Sequence, residues 1–144
     1  MKKILSIWLL LVLVSTTMSC SKDDDSAEPT LVGTWEWSKI GYIDAAGTIT
    51  DLSPYSHDCS TNKDSWLFTA DGAFITSESN LSCTNYYENY QYILSGTNLN
   101  YSDSSITRSF TILSITANTL KVEIPGVTNK APSRPNYYEF TRRN

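Results

Sequence analysis

Histidine, cysteine and basic residues are all scarce, and each scarcity removes a class of function. His57 is the only histidine. A metal centre or an acid–base pair built on it needs further ligands or a facing carboxylate. Asp58 is its neighbour, but successive side chains of an extended strand point to opposite faces. His57 is therefore read as a surface loop residue. No serine sits in a Gly-x-Ser-x-Gly elbow, no glycine-rich loop leads into a helix, and neither Cys59 nor Cys83 has a partner base. The run Asp23-Asp24-Asp25 lacks the organised spacing of a calcium loop. The expectation is a protein that is not an enzyme and holds no metal or cofactor. Positive charge is also short: eleven Lys and Arg face fifteen Asp and Glu. That balance argues against nucleic acid and against a polybasic membrane-binding surface.

No apolar stretch approaches the ~20 residues that cross a bilayer. The longest runs only from Ile4 to Val14, behind Lys2-Lys3 and ahead of the small, polar Ser15 to Ser19. This is the layout of a secretion signal over residues 1–19. Its removal leaves nine basic residues against fifteen acidic ones, a net charge of −6. Thr17-Met18-Ser19-Cys20 resembles the lipobox of bacterial lipoproteins, with Thr17 where Leu is usual. The resemblance implies that Cys20 becomes the first residue and carries acyl chains, palmitate among them. It anchors the chain to a membrane without a spanning helix.

Residues 20–30 then form an acidic tether with nothing to bury, expected to stay disordered. Ser21 replaces the Asp that retains lipoproteins in an inner membrane. Lys22-Asp23-Asp24 resembles the acidic export signal of surface lipoproteins in some Gram-negative bacteria. Together they imply outer-membrane anchoring with display on the cell surface, the periplasmic face being the alternative. Asp25-Ser26-Ala27 resembles an O-glycosylation site of those bacteria.

The folded domain, residues 31–144, is best entered at its middle. Trp66 to Ser79 reads as a β-hairpin, with Ala70-Asp71-Gly72 as a three-residue loop and Gly72 at its left-handed position. That loop sets Phe68 opposite Phe74. The same register, carried outward, sets Cys59 opposite Cys83. Three cysteines are an odd number for an exported chain; lipidation of Cys20 removes one and leaves two to form a disulfide.

Other segments repeat the pattern. Trp35, Trp37, Ile40 and Tyr42 favour a first strand, and Thr48 to Thr50 can begin a second. Pro54 confines Ser53 to Asp58 to a loop or an edge. Tyr90, Tyr92 and Leu94 share one face of a long strand, and Leu120, Val122 and Ile124 alternate with Thr119, Lys121 and Glu123. Ile106 to Ile115 is a strand of mixed facing, Val127 to Pro135 is a longer loop, and Tyr137 to Arg142 is the last strand. About eight strands with short turns and no amphipathic helix predict an all-β, up-and-down antiparallel barrel, an open sandwich being second.

Gly33-Thr34-Trp35 resembles the Gly-x-Trp signature of lipocalins, and Phe140-Thr141-Arg142-Arg143 supplies arginines just after the final strand. The Phe68 to Gly72 hairpin, Ser95 to Leu99 and the Tyr-Glu-Phe ending extend the likeness, which is nearest to the lipocalin-like domains of bacterial lipoproteins. It implies that Gly33, Trp35 and Arg142 close one end of the barrel, with Arg142 or Arg143 lying over Trp35 as a cation–π pair. It further implies an interior able to bind or carry a small hydrophobic ligand, with Trp37, Trp66, Phe68, Phe74, Tyr90, Tyr92 and Tyr101 as candidate lining. The alternative is a filled barrel acting as a structural or protein-binding surface lipoprotein.

Overall fold

The computed structural model describes residues 30–125 and 135–143. The leader, the tether through Pro29 with Cys20 and Ser26, and nearly all of the loop read over Val127 to Pro135 lie outside the described residues.

The first strand organises the rest. β1 (Gly33–Ile43) is eleven residues long, whereas β3 (Ser65–Phe68) beside it has four. Only Gly33 to Glu36 pair with β3. The far half of the same edge, Lys39 to Ile43, takes β2 (Ile49–Pro54) instead. On its other edge β1 pairs with the last strand, β9 (Tyr137–Arg142), from Trp35↔Arg142 to Gly41↔Tyr137. Between them run β4 (Ala73–Ser79), β5 (Asn85–Ser95), β6 (Asn98–Ser102), β7 (Thr107–Ile115) and β8 (Thr119–Glu123), each antiparallel to the next. Eight strands therefore close an up-and-down barrel, and β2 is an exposed flap outside it. Closure leaves no free edge among those eight.

The reading of eight strands holds for the barrel; the ninth arises because β1 outruns its short neighbour. β2 carries the edge features expected of it: Pro54 ends it, and Asp51 has a left-handed backbone, φ 51°. The mixed facing of the segment around Ile106 to Ile115 has its cause in a bulge between Ile112 and Ser114.

The hairpin forms as read. Phe68 pairs with Phe74, their rings stacked 4.6 Å apart and nearly parallel, and Gly72 takes φ 89°. Inward residues of all eight strands meet in one core: Trp35, Trp66, Phe68, Phe74, Tyr90, Leu99, Phe110, Leu120, Val122 and Phe140 are buried. Burying a side chain of this size stabilises by about 1.5–3 kcal/mol, so this layer supplies much of the driving force.

Cys59 and Cys83 are joined, Cα atoms 5.1 Å apart. Their partnership was legible, but the register does not run out to them. β3 starts only at Ser65 and β4 stops at Ser79, so the bond links two loops, with Cys83 in a left-handed turn at φ 58°.

Candidate functional site

Three regions of the barrel carry chemistry: a sealed end, a strapped mouth around Trp37 and the outer wall.

At the sealed end, the first strand begins at Gly33 and the last finishes at Arg142. The Arg142 guanidinium stands 4.2 Å from the Trp35 ring centroid. Its nitrogens donate to the carbonyls of Thr30, Val32 and Ala117, and the Trp35 indole N–H donates to Leu31 O at 2.8 Å. Gly33 is required by this cap. Its φ is 135°, and a Cβ there would come within 2.5 Å of Arg142 Nη1.

The middle of the barrel is filled. Trp66 meets five rings: Trp37, Phe68, Phe74, Phe110 and Phe140, with centroids 4.4–6.2 Å apart. Four of the candidate lining residues, Trp66, Phe68, Phe74 and Tyr90, are buried in this packing. Trp37, Tyr92 and Tyr101 are only partly buried and pack against its margin. Tyr92 donates to Thr69 O at 3.0 Å, and Tyr90 donates to Glu88 Oε2 at 2.6 Å.

Trp37 stands at the mouth. Tyr55, Tyr138 and Phe140 surround it at 4.9–5.0 Å, yet its buried indole N–H finds no acceptor among the described residues. Across it lies a strap, residues 55–64, which connects the outer flap to β3. Tyr55 rests on the Trp37 ring and donates to Asp64 Oδ2 at 2.7 Å. Asp64 Oδ1 accepts from Ser79 N at 2.7 Å.

His57 fastens the strap. Its Nδ1 accepts the Asp64 N–H at 3.0 Å, which leaves Nε2 to donate to Trp37 O, also at 3.0 Å. The expectation of a plain surface loop missed this role, because it depends on backbone groups brought together only by the fold. Burial, followed by the hydrogen bond to Asp64, pushes the Tyr55 hydroxyl well above the usual tyrosine range. At the rim, partial burial followed by the nearby Asp64 and Glu88 raises Glu78. Among the described residues no three of His, Cys, Asp and Glu gather where a metal ion could be held.

The third region is on the outside. Antiparallel register aligns Glu36, Ser65, Ser77 and Tyr87 in one outward row and Thr34, Leu67 and Ile75 in the next. Ser60 to Lys63 overhang them, and the hollow so formed measures about 440 Å³. Glu36 Oε1 accepts from Arg143 Nε at 2.5 Å and Oε2 meets Lys63 Nζ at 3.2 Å. Partial burial opposes ionisation of Glu36, but these two cations outweigh it and lower its pKa. A second hollow, about 570 Å³, lies on the outer wall between Asn89–Gln91 and Ser102–Ser104. Of the seven aromatic candidates, Tyr90 alone borders either hollow.

The lipocalin-like domain family matches residues 31–122. The chain belongs to that family. Two solved structures share its fold. A lipocalin-like protein from Bacteroides uniformis is 14% identical, with a TM-score of 0.52 over 79% of this chain and 98% of its own. An uncharacterized protein from Bacteroides eggerthii is 13% identical, with a TM-score of 0.55 over 79% of this chain and 100% of its own. At such identities the likeness concerns the fold. No curated protein matches. Within this lipocalin-like domain, Trp35 of the cap and Trp37 stand two residues apart on the same face of β1, so one strand positions both.

Proposed function

We propose that this lipocalin-like domain is a lipid-anchored binding module. Acylated Cys20 ties it to the outer membrane, the acidic tether lifts it to the cell surface, and the barrel takes a small, largely apolar molecule at its mouth. The observation that carries this reading is the Trp37 indole N–H, buried among rings and without an acceptor among the described residues. An unsatisfied buried donor costs about 1–3 kcal/mol, and a guest bringing one acceptor on an apolar body recovers it. The packed centre beneath, where Trp66 touches five rings, favours a guest on top of the core over one within it. Binding is favoured over catalysis because both ring nitrogens of His57 already serve backbone groups.

The same filled centre favours a second reading, in which the barrel is a structural or protein-binding surface lipoprotein that carries no guest. Native mass spectrometry of the full chain purified from its own membranes separates the two. A co-purified small molecule, lost in Trp37→Phe while the thermal midpoint holds, is the expected result. An empty barrel from native membranes overturns the mouth reading. Cys20→Ala tests the anchor separately: the chain should become soluble, and persistent membrane association would sink the anchor.

A further inference from the structure

We propose that the hollow on the outer wall is a second binding site, selective for saccharides bearing a carboxylate. It is independent of the mouth, since the residues that form it face away from the barrel interior. Its size falls within the roughly 300–1,000 Å³ of small-molecule sites. Three layers of chemistry meet there.

The floor is apolar, made by Leu67 and Ile75. One side is Tyr87, a ring 59% exposed on a strand, held in place by Asn85 Nδ2 donating to its hydroxyl at 3.0 Å. An exposed tyrosine with a fixed orientation offers a flat apolar face and a polar tip, which suits the C–H face and hydroxyls of a sugar ring. The overhang of Ser60, Thr61 and Asn62 brings hydroxyl and amide groups that both donate and accept. Its position is fixed: Asn62 Nδ2 donates to Cys83 O at 2.9 Å, and the Cys59–Cys83 bond holds the loop to the β4–β5 turn.

Charge decides the class of sugar. One carboxylate, Glu36, stands between two cations, Lys63 and Arg143, in a chain whose formal charge is −4 overall. The hollow is thus locally positive by one charge on an acidic protein. Only Nε of the Arg143 fork is engaged by Glu36. A guanidinium binds carboxylate in a geometry that a neutral sugar cannot exploit. A uronic-acid unit satisfies all three layers: a ring for Tyr87, hydroxyls for the overhang and an anion for the cation pair.

The test is calorimetric titration of the full chain in detergent micelles with trigalacturonate, and with maltotriose as the neutral counterpart. Trigalacturonate should bind, more weakly as salt rises, and maltotriose should bind at least about tenfold more weakly. Tyr87→Ala should cost about tenfold and Tyr87→Phe far less. Lys63→Gln should weaken binding, whereas Glu36→Gln, which frees both cations, should strengthen it about threefold. Trp37→Phe should leave it unchanged. Absence of binding, equal affinity for maltotriose, or full affinity in Tyr87→Ala overturns the proposal. Loss in Trp37→Phe also overturns it, by assigning the sugar to the mouth, and leaves the mouth reading standing.

Discussion

Trp35 and Arg142, 107 positions apart in sequence, lie opposite each other on neighbouring strands and also form a cation–π pair at 4.2 Å. One contact thereby joins the first strand to the last and caps the barrel. Trp35→Ala empties a fully buried indole and should cost about 3–5 kcal/mol, read from urea denaturation. An unchanged midpoint would show that Trp35 is no core residue.

Gly33→Ala tests the same cap from the backbone. The methyl group meets Arg142 Nη1 in a conformation that L-residues rarely adopt. Stability should fall by more than about 1 kcal/mol. Arg142→Ala should remove the steric part of the penalty and leave the backbone strain, so that the double variant is more stable than the sum of the single losses implies. Simple additivity would mean that the two residues do not interfere.

Replacing both Cys59 and Cys83 by Ser opens a cross-link between positions 24 apart. On the chain-entropy account this costs about 3.5 kcal/mol. Because the bond also holds the strap, Trp37 fluorescence should shift toward that of an exposed indole. A protein that melts at the wild-type temperature would mean that the loops hold themselves.

Alkali should unfold the barrel over a defined range. Burial and then Glu88 raise Tyr90 to about 12, and burial and then Glu139 raise Tyr137 to about 12. Unfolded tyrosine ionises near ~10. Both groups have raised folded values, so their contribution is complete below pH ~10 and is lost as pH climbs toward ~12. Urea midpoints should be level up to pH ~10 and then fall. Tyr90→Phe and Tyr137→Phe should flatten the decline, and a midpoint constant through pH ~11 would contradict the assignment.

Glu78 has the opposite sign to a paired carboxylate. Partial burial and then Asp64 and Glu88 raise its pKa, so its charged form is disfavoured in the fold. Its contribution is present at low pH and is lost as pH rises through that raised value. Glu78→Gln should therefore stabilise at pH ~7 and make no difference at pH ~3, where the carboxyl is already protonated. Destabilisation at neutral pH would show that Glu78 has a cationic partner.

Local signals in the sequence were strong where chemistry is local. Phe68, Gly72 and Phe74 carry a hairpin among themselves, and Leu120 and Val122 declare their faces by alternation. The Trp35–Arg142 cap was legible only through its family resemblance, since no spacing rule links residues so far apart. Periodicity could not separate cavity lining from filling: Trp66, Phe68 and Phe74 point inward in either case, and only the packed distances place them in the core. The strap was hidden because the His57 ring is held by backbone groups of Trp37 and Asp64. The outer hollow was hidden because Glu36, Ser77 and Tyr87 become neighbours through register across four strands.

The seam between β1 and β9 has a consequence for how the molecule is made. Its two sides come from the first and last strands of the domain, so the ring of strands stays open until β9 is in place. Until then Trp35 and Leu120 border an unfinished cleft, and β1 and β8 each present a bare edge. A chain shortened by its last half-dozen residues loses the hoop as a whole and is left as a sticky open ribbon. Such long-distance stitching also makes for slow acquisition of structure.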